Sequence, residues 1–178
     1  MGIPTLISTS TASDSSSVDI TSGIDSTYDE YMFVFTDINP ATDNVNFTFQ
    51  VNADGQSGFN ETVTSTWFYA QHDEADSATN LAYDTTRDQA QGTSYQVLFG
   101  TTGNGADECG VGKLHLFNPA STTYVKHFYS RCAFYHNFDY SFDTFPAGYI
   151  NTTSAIDEIS FKMSSGNFDG VIQMYGIA

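Results

Sequence analysis

The sequence predicts an all-β fold: one antiparallel β-sandwich with jelly-roll-like connectivity, another antiparallel sandwich topology being the alternative. Three observations carry this expectation. Apolar residues recur with period two in segment after segment. The 178 residues include 15 Phe and 11 Tyr, rings that suit pleated, half-buried surfaces. The apolar segments are short, are separated by Gly, Asn, Asp and Pro, and include no helical pattern of normal length. A chain of this size fits a single core. Residues 1–24 are expected to form an N-terminal extended arm with the first strands, and residues 25–178 the sandwich domain.

Taken in order, the segments read as follows. Ser and Thr crowd the first 22 residues, but β-branched residues in IPTLIST and SVDIT predict extended strands there. In YDEYMFVFTDI, Tyr31, Phe33 and Phe35 share one face and Met32, Val34 and Ile38 the other, so both faces are expected to be buried. NPATDN supplies a turn. The cleanest alternation follows, with Val45, Phe47, Phe49 and Val51 on a dry face and Asn46, Thr48, Gln50 and Asn52 on a wet one.

ADGQSGFN is a Gly-rich turn, and TVTSTWFYA is a strand holding the single tryptophan, Trp67. HDEADSATNLAYDTTRDQAQG, from His72 to Gly92, is polar and long. It reads as an excursion or short helical turn rather than a strand and is the best candidate for a functional loop. TSYQVLFG, GVGKLHLFN and TYVKHFYSRCAFYHNF are strands, interrupted by the loop TTGNGADECG. In the last of them Tyr124, Lys126, Phe128, Ser130, Cys132, Phe134 and His136 share one face, opposite Val125, His127, Tyr129, Arg131, Ala133 and Tyr135. AIDEISFKM, with the row Ile159, Phe161 and Met163, and FDGVIQMYGI close the chain. The expected total is nine or ten strands. An extended segment carries unpaired backbone donors and acceptors, so the closing strand must pair within its own sheet or with another copy. No repeat of fixed period points to a propeller or solenoid.

Composition narrows the function classes. Against 21 Asp and Glu stand 5 Lys and Arg, a formal net charge of −16. Phosphate backbones and anionic lipids both require clustered cations, so no nucleic acid and no membrane surface is expected as a partner. No apolar run approaches the length that crosses a bilayer, and the opening residues lack a secretory pattern. The chain is therefore read as folding in a reducing cytosol, with Cys109 and Cys132 as free thiols.

The residues with chemical potential point to no reaction. TTGNGADECGVG lacks the Lys and Ser/Thr of a phosphate-binding loop and reads as a connection. His115 and His127 lie on strands that could pair, but no third ligand follows at short spacing. HDEAD gathers His72, Asp73, Glu74 and Asp76 without the alternation or Gly of an EF-hand loop, so a solvated acidic turn is expected rather than a calcium site. Acid pairs of the glycosidase kind are unavoidable among 21 carboxylates. No catalytic or metal-ligating residue is assigned and no cofactor is expected. Candidate interaction residues are the aromatics Trp67, Tyr124, Tyr129, Tyr135 and Tyr175, which fit core packing, protein contacts or sugar stacking.

The strings ITSGIDSTYDEYMFVFTDINPATDNVNFTFQVN, LFNPASTTYVKHFYSR, GYINTTSAIDEISFKMSSGNFDGVIQMYGI and the opening LISTSTAS resemble a group of virion structural proteins of tailed marine bacteriophages, notably cyanophages. The likeness runs from about Leu6 to Ile177. Its most specific parts are the SGIDSTYDEY…INPATD block and the ending from Gly170 to Ile177. The resemblance implies a non-enzymatic component of a virion assembled in the host cytoplasm: an external head decoration, or a fibre or knob. The implied partners are a major capsid protein or tail component and further copies of the chain, a trimer being the commonest arrangement for knobs. The alternative is a carbohydrate-binding, receptor-recognising module contacting a host surface glycan, and a third reading is a glycan-degrading enzyme.

Overall fold

The computed structural model describes residues 2–178. Among them there is no helix. Fifteen strands run β1 (Thr5–Ser15), β2 (Val18–Ile20), β3 (Glu30–Pro40), β4 (Val45–Ala53), β5 (Val63–Thr66), β6 (Phe68–Asp73), β7 (Thr79–Tyr83), β8 (Ala90–Gly92), β9 (Gln96–Thr102), β10 (Gly110–Phe117), β11 (Lys126–His136), β12 (Tyr140–Thr144), β13 (Ala147–Ile150), β14 (Ile156–Met163) and β15 (Phe168–Ile177). The expected all-β, antiparallel architecture is what the chain adopts.

The strands form two facing layers. The wide layer runs β1-β15-β3-β10-β11, continues through β12 and β13 placed end to end, and then through β6 and β5 to β7 and β8. The narrow layer runs β2-β14-β4-β9. The layers join where Thr102 of β9 meets His136 of β11, so the sheet curls nearly into a barrel. The strand count exceeds the expected nine or ten because TVTSTWFYA divides into β5 and β6 and because β7, β8, β12 and β13 form in segments not read as strands. Pro146, which has no N–H to give a ladder, separates β12 from β13, and Trp67 marks the matching break between β5 and β6. In addition, the polar 72–92 excursion contains a hairpin of β6 and β7.

Phenylalanines fill the space between the layers. Phe47 of β4 lies 5.3 Å from Phe35, 5.1 Å from Phe99 and 5.7 Å from Phe168 by ring centroids, while Phe49 reaches Phe128 of β11 at 5.1 Å. Each such pair is worth about 0.5–1.5 kcal/mol beyond the area it buries. The row Ile159, Phe161 and Met163 lies in this core. The first 24 residues contribute to it as well, through Ala12, Val18, Ile20 and Ile24.

The two faces expected for β3 change phase at a bulge. Asp37 adopts φ +53°, and the register with both neighbouring strands slips beside it. Ile38 thereby joins Phe33 and Phe35 in the core instead of facing away with Met32 and Val34. Opposite the slip stands Gly170 at φ +142°, where a Cβ would press against the Ile38 side chain and the Asp37 carbonyl.

The face of β4 expected to be wet is dry. Thr48, Gln50 and Asn52 are buried because the segments around Glu61 and Thr93–Ser94 cover them. Gln50 Nε2 donates to the carbonyls of Glu61, Thr93 and Ser94 at 3.0–3.2 Å, and its Oε1 accepts the Val51 N–H. The closing strand β15 is paired on both sides, by β1 and β3, so the free edge of that layer belongs to β1.

Candidate functional site

The long strand β11 builds the most distinctive surface. Its inward residues Phe128, Ser130, Cys132 and Phe134 are buried, as is Lys126, whose ammonium donates to the Thr152 and Ser154 carbonyls. Burial lowers the Lys126 pKa. The outward residues His127, Tyr129, Arg131 and Ala133 are exposed.

Cross-strand register carries this outer face across the wide layer. Leu6, Tyr175, Met32, His115, Tyr129 and Ala147 are successive partners on β1, β15, β3, β10, β11 and β13, and therefore form one row. His115 stacks on Tyr129 with centroids 4.6 Å apart and planes at 16°, and Phe117 lies 5.5 Å from Tyr129. Glu30 holds the His115 Nδ1.

The next row pairs Val34, Lys113 and Arg131. Arg131 grips Asp143 of β12 with two nitrogens, Nε to Oδ1 at 3.1 Å and Nη2 to Oδ2 at 2.6 Å, and its guanidinium carbon sits 5.3 Å from the Phe145 ring centroid. This pairing raises the Arg131 pKa further. Phe145 in turn stacks on Phe68 at 4.9 Å and 10°.

A groove of about 680 Å³ runs over β10, β11 and β12, lined by Lys113, His115, Tyr129, Arg131 and Asp143, with Ala133 in its floor. Charge is distributed unevenly around it. Lys113 and Arg131 are exposed, whereas Lys126 is buried, Arg87 is tucked against Trp67 and Lys162 lies over the Tyr95 ring. The exposed cations of a strongly acidic chain thus stand side by side on one face. Six large apolar side chains are exposed on the same face: Leu6, Phe68, Leu81, Tyr83, Val111 and Tyr129.

Of the residues singled out from the sequence, Tyr129 and Tyr175 fall in one row of this face. Tyr135 lies on it beyond Ala133, its hydroxyl donating to Asp139 Oδ1 at 3.0 Å, which pushes the phenol pKa up. Tyr124 is exposed in the loop before β11 and belongs to no cluster. Trp67 is a correction: it is completely buried and points inward beside Tyr69 under the Arg87 guanidinium, 4.8 Å from its ring centroid, so it cannot serve as a contact residue.

His115 is partnered by Tyr129, not by His127, which stands opposite Tyr149. Asp73 of the HDEAD turn is not solvated. It is buried and organises the β6–β7 hairpin, accepting the Ser77 hydroxyl and the N–H groups of Ser77 and Ala78, bonds that lower its pKa. In the TTGNGADECG loop Glu108 turns its own carboxylate onto the Gly105 N–H, while the loop's carbonyls are tied to Asn39. Cys109 and Cys132 are both free.

Sequence reasoning did not single out Lys113, His115, Arg131, Phe68 or Asp143 as one site. The outward phase of Lys113 and Arg131 was legible in the period-two pattern, but the bond to Asp143 depends on the β11–β12 register.

No family model matches the chain, and no curated protein matches it. Among solved structures, a structural-genomics protein of unknown function from Bacteroides ovatus is similar over 59% of this chain and 45% of that one, at 6% identity and a TM-score of 0.32. The chain thus spans less than half the length of that protein.

Proposed function

We propose that this chain is a non-enzymatic structural protein of a virion, an external head decoration or a fibre or knob component, acting through protein–protein contacts and present in several joined copies. Its partners on the particle are a capsid protein or a tail component.

The observation that carries the assembly reading is the β1 edge. This strand is 11 residues long, is paired by β15 on one side, and ends the layer on the other. From Thr5 to Ser13 it has no charged side chain, and between its two register irregularities Ser8 to Ala12 run regularly. Edge strands are ordinarily shielded by Lys, Pro or inward charges. On a molecule of net charge −16, an uncharged strip of unpaired backbone is where copies can approach without like-charge contact.

Sedimentation velocity tests this. The purified protein should sediment as a multimer, and Thr9→Lys with Thr11→Lys should yield a folded monomer, because those exposed side chains would place positive charges along both apposed edges. A wild-type protein that stays monomeric at every concentration would refute edge pairing. Electron microscopy of particles lacking the protein should show missing surface density.

A further inference from the structure

We infer that the outer face of the wide layer binds an extended, uncharged oligosaccharide laid across β10, β11, β12 and β6. The face has two aromatic shelves separated by a polar centre. On one side His115 stacks with the half-exposed Tyr129; on the other Phe145 stacks with Phe68, which is 39% exposed. Three strand intervals separate β10 from β6, about 14 Å at ordinary strand spacing. Such a span suits a chain of linked rings rather than a single small metabolite. From the first shelf a groove of about 680 Å³ opens past Arg131 and Asp143, where the short side chain of Ala133 keeps the floor low.

The polar groups select among extended ligands with flat faces. Arg131 is already fixed by Asp143, and His115 by Glu30, so donors and acceptors stand in set positions before any ligand arrives. A ligand covering them must both donate and accept, because desolvating a carboxylate with no donor in reach is costly. Single-stranded nucleic acid would use the rings, but it needs a cationic track along its phosphates. Here two exposed cations stand on a chain of net charge −16, one of them already spent on Asp143. A polyproline segment would also use the rings, but proline has no N–H to give the carboxylate lone pairs that Arg131 and His115 leave open on Asp143 and Glu30. A neutral sugar chain presents C–H faces to the shelves and hydroxyls that both donate and accept to the centre.

The test combines saturation-transfer NMR with calorimetry. The probes are hexasaccharides of glucose with α-1,4, β-1,3 and β-1,4 linkages and an α-linked mannohexaose, with decaproline and a sulfated oligosaccharide as contrasts. At least one neutral hexasaccharide should bind, and neither contrast should. Tyr129→Ala and Phe68→Ala should each weaken binding by about two- to tenfold, the worth of a lost ring contact. Tyr124→Ala, in an exposed ring away from this face, should leave it unchanged. Thermal melts confirm that each variant is folded. Binding of none of the four neutral chains, preference for decaproline or the sulfated chain, or an affinity indifferent to both shelf substitutions overturns the assignment. Because β1 lies at the far end of the layer, the Thr9→Lys and Thr11→Lys variant should keep the site, so failure of edge pairing and failure of sugar binding are read separately.

Discussion

Gln50 illustrates how one side chain can belong to the core while reading as surface. Its amide holds the segments around Glu61 and Thr93–Ser94 against β4 through three carbonyls. Replacement by Ala would leave those acceptors buried without donors, at about 1–3 kcal/mol. Gln50→Ala should therefore lower Tm by roughly 2–12 °C in a chain of this size, measurable by calorimetry. Cys132 gives a pH signature. Its thiol is fully buried, and burial pushes its pKa from 9.0 up to about 12. Below pH 9 the thiol is protonated in both folded and unfolded chains, and its contribution is fully present. Between pH 9 and about 12 only the unfolded chain loses the proton, so stability falls as pH rises, by about 1.4 kcal/mol per unit from this group. Urea denaturation across that window should show the decline, and Cys132→Ala should make it shallower by about this amount, the raised phenols of Tyr31, Tyr83, Tyr95 and Tyr135 contributing the remainder.

At the scale of elements, the register of the wide layer depends on two local devices. The slip at Asp37 and the positive φ of Gly170 face each other, and together they bring Ile38 and Ile172 into the core. Gly170→Ala would force a side chain into a conformation L residues rarely adopt and against the Asp37 carbonyl, for a loss of about 1–3 kcal/mol by chemical denaturation. The β6–β7 hairpin hangs on Asp73, which satisfies two backbone N–H groups of its turn. Asp73→Ala should accelerate hydrogen exchange of the Thr79–Tyr83 amides by about tenfold or more while leaving β3 and β15 protected. The hairpin was hidden in the sequence because β7 opens with Thr79 and Asn80, and its two large apolar residues, Leu81 and Tyr83, are both exposed. No buried face stamps a period-two pattern on it.

For the whole molecule, the formal charge of −16 is the dominant long-range term. Most carboxylates lie on the surface, so their mutual repulsion opposes the compact state and is screened by salt. Raising NaCl to about 0.5 M, where the screening length is a few ångströms, should raise Tm, and should also favour association if copies meet along β1. A Tm indifferent to salt would mean that the acidic groups are compensated within the fold. The same imbalance gives the outer face of β10 and β11 its character, since Lys113 and Arg131 stand there as cross-strand partners while the remaining Lys and Arg side chains are covered or laid against rings.

Period-two patterning and ring content were sufficient, from the sequence alone, to determine an all-β antiparallel chain and most of its core, because alternation along a strand is a local property that burial of one face imposes directly. The rows Val45–Val51 and Ile159–Met163, and the inward face of β11, were legible for that reason. Burial of Gln50 and Trp67 was decided only in three dimensions, since loops distant along the chain cover them. So was the meeting of Tyr175, His115, Tyr129, Arg131 and Asp143 on one surface, because cross-strand register is fixed by bulges and by which strands neighbour one another, and neither is encoded within any single strand.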